Sequence, residues 1–175
     1  VRSYGGIGAT TVVLLTLAGA VAAAPAWERQ VGMKSMADSA RIIGDLFSGR
    51  RAYSQTEFRA AAESIRTRAG KRLVDDFGGG HQPDSKADAE MISSSSEEFG
   101  RLARDLETYA AALSSAADRN PKELGPDTRM GGRLLGSPFG RKADADRDAA
   151  SMPPEHAYHL MLQTCTSCHA RFRMP

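Results

Sequence analysis

Apolar residues recur along this chain at helical spacing in four stretches, without the alternation that marks strands. The first runs from about Trp27 to Phe47. There Met33, Met36 or Ala37, Ala40, Ile43 or Gly44, and Phe47 form a stripe with a period of about 3.6 residues. Lys34, Asp38 and Arg41 fall off the stripe, and Ser48-Gly49 offers the glycine at which helices end. A second helix is expected from the capping signature Ser54-Gln55-Thr56-Glu57, through Phe58, Ile65, Ala69, Leu73 and Phe77, to the break at Gly78-Gly79-Gly80. A third spans Ser85 to about Asn120 on Ile92, Phe99, Leu102, Leu106, Tyr109 and Leu113, with Pro121 as its stop. The serine run Ser93 to Ser96 weakens its first half and predicts a break. The fourth runs from Pro154 to Arg173, opened by Pro153-Pro154-Glu155, where a missing N–H does no harm.

Between the third and fourth stretches, residues 121–153 hold Gly131-Gly132, Gly136, Pro138 and Gly140, followed by a mixed-charge run from Arg141 to Asp148. A loop of about thirty residues is unusual in a compact domain. It is expected to be a surface excursion, with a docking surface or a cover over a cofactor edge as the functional option. Met130 and Leu134-Leu135 are its expected contacts with the core. At the other end, residues 1–26 read as a secretory leader. Arg2 supplies a positive charge, Thr11 to Ala23 form a short apolar run, and small residues crowd Ala20 to Ala26. Cleavage is expected near 22–26, after Ala22, Ala24 or Ala26. The apolar run is about thirteen residues, short of the roughly twenty that span a bilayer, so no stable membrane insertion is expected after cleavage.

Composition narrows the partners. The chain has 175 residues, of which 41% are hydrophobic and 6% aromatic, which suits one domain over 27–175. The net charge is only +2 and basic residues alternate with acidic ones, so the concentrated positive face that nucleic acid requires is missing.

The chemistry concentrates in Cys165-Thr166-Ser167-Cys168-His169, which holds both cysteines of the chain. This spacing reads as covalent haem attachment: each thiol adds to one vinyl group and the adjacent imidazole ligates the iron. On a helix the three residues share a face, which Tyr158, Met161 and Leu162 extend backwards and Phe172 forwards. Two other uses of the pair compete. A thioredoxin-like redox pair belongs near a βαβ pattern, which is not visible here. A zinc site with His156 and His159 would take four ligands from about fourteen residues of one helix, where zinc usually draws on elements that fold back on one another. Export agrees with haem, because bacterial c-type haem is attached outside the cytoplasm. No nucleophile–base pair or phosphate loop is visible, so the protein is not expected to be an enzyme.

Four helices with CxxCH in the last resemble the cytochrome c-prime family, the class II c-type cytochromes. The resemblance covers roughly Trp27 to Arg173 apart from the long loop. It is carried by Cys165-Thr-Ser-Cys168-His169-Ala-Arg-Phe172-Arg173 and by Arg29-Gln-Val-Gly-Met33. It implies an all-α, up-down-up-down four-helix bundle with one haem c on the C-terminal helix. It further implies His169 as proximal iron ligand, Arg29 near a haem propionate, and Phe172 and Arg173 in the haem surroundings. Met33 stands where a low-spin branch of the family places a distal methionine, with Met36 one turn on as its backup. Methionine–histidine ligation suits outer-sphere electron transfer. The expectation is thus an exported, periplasmic, monohaem electron carrier that serves other redox proteins, as a monomer or a homodimer. The alternative is a five-coordinate relative that binds nitric oxide or carbon monoxide.

Overall fold

A computed structural model describes residues 23–130 and 152–174. Six α-helices occur among them: α1 Ala26–Ser48, α2 Gln55–Arg66, α3 Gly70–Phe77, α4 Ala89–Ser94, α5 Ser96–Arg119 and α6 Pro154–Phe172. They make the four legs of a bundle, because α2 with α3, and α4 with α5, are broken single legs. The expected leader residues 1–22 and Leu134-Leu135 lie outside the described residues.

Two aromatic clusters fix the direction of every leg. At one end Phe47 of late α1 meets Phe58 of early α2 edge-on at 5.5 Å and Tyr158 of early α6 at 5.6 Å. Tyr53 packs on Phe58 and donates to the Asn120 carbonyl, just past α5. At the other end the Arg29 guanidinium of early α1 lies over Phe77 of late α3, 4.9 Å from the ring centre. Phe77 meets Phe99 of early α5 at 6.0 Å, and Phe99 meets Phe172 of late α6 at 5.2 Å. The legs therefore alternate up, down, up, down.

Burial explains the legs. Arg29, Met33, Met36, Ala40, Ile43 and Phe47 recur three and four apart along α1, and Met161, Cys165, Cys168 and Phe172 do the same along α6. Both are inward seams of the kind bundles require. Ile43, Phe58, Ile65, Leu113 and Met161 are fully or almost fully enclosed. The charges expected off the α1 stripe form exposed pairs: Lys34 donates to Asp38 at 2.7 Å and Arg41 to Asp38 at 3.0 Å.

The second leg is two helices rather than the single one expected from Ser54 to Phe77. Its start is as foreseen, since the Ser54 hydroxyl accepts from the Glu57 N–H at 3.3 Å. Glu57 then pairs with Arg51 instead of returning to the cap. The break comes at Ala69, which is extended, and Gly70, which is left-handed with φ +58. A Cβ on Gly70 would meet a carboxylate oxygen of Glu107 on α5, and its left-handed φ is one that glycine adopts without cost. The third leg breaks at Ser95, within the serine run as expected. It begins at Ala89 rather than Ser85, because Asp88 caps it by accepting the Met91 N–H at 2.9 Å.

Candidate haem site

α6 owes its position to the seam just described, and the seam places the cysteines. Cys165 and Cys168 pack half-buried against the core as free thiols. Burial raises both thiol pKa values, Cys168 to about 11 with a smaller push from Cys165, so both sulfurs carry protons at neutral pH. His169 follows on the exposed side of α6. Desolvation of the ring, and secondarily the Arg173 guanidinium, lower its pKa. A neutral imidazole with a lone pair to give is the result.

The end of α6 is tied down. Phe172 is 3% exposed and stacks edge-on against Phe99. Arg173 forms an antiparallel bridge with Ala87, the Phe172 carbonyl accepts from Asp88 N–H at 2.9 Å, and Met174 N–H donates to the Lys86 carbonyl at 2.8 Å. Arg171 pairs with Glu98 at 3.5 Å. The Arg173 side chain itself is exposed.

Across the bundle, Arg29 is not the surface arginine its charge would suggest. It is 5% exposed, its Nε donates to the Ala24 carbonyl at 2.7 Å, and its Nη2 is buried without a partner. Desolvation lowers its pKa against the opposing pull of Asp76. Arg29, Met33 and Met36 line a cavity of about 400 Å³ together with Leu73, Asp76 and Phe77 of α3. Met36 is buried and Met33 half-buried. No residue of α6 lines this cavity. Arg29, Met33 and the Cys165–His169 run therefore share one end of the bundle, while Met33 and His169 lie in separate walls.

These residues fit a covalently held haem. Two protonated thiols and a neutral imidazole lie on neighbouring positions of one helix, and an unsatisfied guanidinium nitrogen at the same end awaits an acidic group. The rival zinc arrangement gains no support. Among the described residues no group of three or more His, Cys, Asp or Glu is disposed to hold a metal ion. His156 instead sets its Nδ1 3.2 Å from the Met130 sulfur, at the opposite end of α6.

Other expectations fare unevenly. Met161 is enclosed, and Tyr158 and Leu162 pack on the core, as foreseen. Met130 is 42% exposed and does not anchor the long loop to the core. That anchor is Arg129, which donates to the Phe47 carbonyl at 2.5 Å and lies over the Phe47 ring, beside the enclosed Thr128. The described feet of the loop thus stand at the end away from Cys165–His169. Sequence reasoning missed Gln82, which donates to the same Ala24 carbonyl at 3.1 Å. It lies in an aperiodic glycine-rich stretch, and no sequence signal singles it out.

Comparison with curated protein sequences finds no match. The solved structures similar to this chain include the cytochrome c' of Thermochromatium tepidum, 23% identical, covering 86% of this chain and 95% of that one at a TM-score of 0.57. Another is cytochrome c prime of Shewanella frigidimarina, 16% identical over 84% and 91%, also at 0.57. A third is a nitric oxide complex of a point variant of cytochrome c prime from Alcaligenes xylosoxidans, 17% identical over 85% and 93%, at 0.57. At these identities the likeness shows the fold. A family model described as Cytochrome C' matches residues 25–129, more than half of the chain, and stops short of the cysteines. The match and the CxxCH motif are therefore independent, and both imply a covalently attached haem c. The chain belongs to the cytochrome c' family.

Proposed function

We propose that this is an exported cytochrome c' whose haem iron takes a diatomic gas, nitric oxide or carbon monoxide, rather than a permanent methionine. Cys165 and Cys168 hold the haem through thioethers, each thiol giving its S–H across a vinyl group. His169 would be the iron ligand, its imidazole neutral. Arg29 meets an acidic group of the haem with its free Nη2. When bound, the haem would supply an iron able to take a small ligand.

The observation that carries this reading is the cavity beside Met33 and Met36. Its walls come from α1, the turn after α2, and α3, with no residue of α6, so it directs neither the Met33 nor the Met36 thioether toward His169. The Alcaligenes relative solved with nitric oxide supports the same choice. The other reading, a periplasmic His169/Met33 electron carrier docking with redox proteins, draws on one specific fact. Met33 and Met36 both stand on the inward seam of α1, so either thioether lies on the line that faces the bundle interior. Catalysis forms no part of either reading.

Anaerobic titration of the reduced protein with carbon monoxide separates them. The expected result is a broad high-spin spectrum that shifts on adding the gas. A sharp low-spin spectrum without a shift overturns the gas-binding reading and favours the carrier. In that case Met33→Ala or Met36→Ala identifies the ligand by converting the spectrum to high-spin.

A further inference from the structure

We propose that the cavity between α1 and α3 receives both acidic side chains of the haem, Arg29 holding one and Arg68 the other. The inference rests on the proposed haem attachment and deepens it: a haem carries two carboxylates, and the free Nη2 of Arg29 meets one of them. The arginines of the chain identify the second partner. Among the described residues, nine arginines pair with a carboxylate. Arg104, Arg119 and Arg173 are unpaired but exposed. That leaves Arg29, buried, and Arg68, half-buried, without a carboxylate, and both line this cavity. A guanidinium drawn out of water without an anion is costly, so two on one cavity point to a ligand with two negative charges.

Arg68 is held ready for this role. It stands in the turn between α2 and α3, where its Nη1 donates to the Ser64 carbonyl at 2.8 Å and to the Ser64 hydroxyl at 3.2 Å. The Ser64 hydroxyl in turn lies 3.3 Å from the Ser35 hydroxyl of α1. One arm of the guanidinium is thus moored to α2 and, through two hydroxyls, to α1. Its Nε and Nη2 have no partner among the described residues and remain for a carboxylate, which the planar fork grips through two parallel bonds. The acids on the cavity wall do not compete for it. Asp76 is taken by Arg72 at 2.9 Å, and Glu28 is an exposed residue in the first turn of α1. With one haem carboxylate on Arg29 and the other on Arg68, the ligand ties α1 to the turn between α2 and α3.

Reduction potential against pH, measured on the haem-loaded protein, tests this. A guanidinium within hydrogen-bond range keeps a carboxylate ionised in mild acid. In Arg68→Gln the haem acid it held should take up a proton on reduction, so the profile gains a bend that the parent lacks. The resonance Raman bands of the haem's acidic side chains should shift with it. Arg104→Gln removes the same charge from an exposed face of α5 and should add no bend. Ser64→Ala keeps the charge but frees Nη1; it should move the same bands by less, and it carries the test if Arg68→Gln fails to mature. Profiles and bands of Arg68→Gln and Ser64→Ala that superimpose on the parent's overturn the proposal, as does an equal bend in Arg104→Gln. Intact mass keeps the two readings apart. A parent without added haem sinks the haem reading and this one together, whereas a haem-loaded parent with silent variants sinks this one alone.

Discussion

A buried guanidinium with one nitrogen unpaired is rare enough to demand a reason, and for Arg29 the proposed haem would supply one. Removing the guanidinium gives up its Nε bond to the Ala24 carbonyl, which keeps Gln82, and also removes the unpaired Nη2. These are two opposing effects of about 1 kcal/mol each, whereas a buried partner left unsatisfied costs about 1–3 kcal/mol. Arg29→Met should therefore leave the haem-free protein within ~1 kcal/mol of its parent and cost the haem-loaded protein roughly 1–3 kcal/mol, read by denaturant titration of both forms. Met161 has no such dependence. It is fully enclosed on the seam that carries the cysteines, so Met161→Ala should cost about 2–5 kcal/mol with or without haem. The cysteines and His169 were legible in the sequence because their chemistry depends on spacing within one helix. The burial of Arg29 was not. It depends on Ala24 and on Gln82, which reaches Ala24 from 58 residues away out of a segment with no period to read.

Among the elements, the break in the second leg separates what pattern reveals from what it conceals. Ile65, Ala69 and Leu73 keep their apolar spacing straight through it, so a stripe predicts one helix. The interruption is a backbone event, at the extended Ala69 and at Gly70 with its φ of +58. Gly70→Ala must adopt a left-handed conformation at about 1–2 kcal/mol and also displace the Glu107 carboxylate. A loss at the upper end of that range is expected in thermal melts. Upstream of the break, Glu63 accepts from Arg66 at 2.8 Å and is also bonded to Ser114 of α5. These two bonds, Arg66 first, hold its pKa below the ordinary 4.5. The folded pKa is the lower one, so this stabilisation is complete above about pH 4.5 and is lost as pH falls below it. Glu63→Gln should flatten the acid limb of a stability–pH profile and leave the neutral plateau within ~1 kcal/mol of the parent.

At the scale of the whole molecule, the bundle keeps its two ends for different purposes. One end gathers Arg29, the cavity and the Cys165–His169 run. The other gathers Phe47, Tyr158 and the feet of the long loop, clamped by Arg129 and by Glu155, which accepts the Met130 N–H at 2.7 Å. Replacing residues 131–151 with a short Gly/Ser linker should therefore leave the haem spectrum unchanged and alter stability by no more than roughly 1 kcal/mol, the scale of loop-closure differences. A changed spectrum would mean that the loop reaches the far end after all. The pairing of Arg173 and Met174 with Lys86 and Ala87 has a practical corollary for handling the protein. An affinity tag fused directly behind Pro175 would hang from the ribbon that moors the haem helix, levering on it at every pull. The sound place to graft a handle is within residues 131–151, whose described neighbours Arg129, Met130 and Glu155 sit at the end of the bundle away from Cys165–His169.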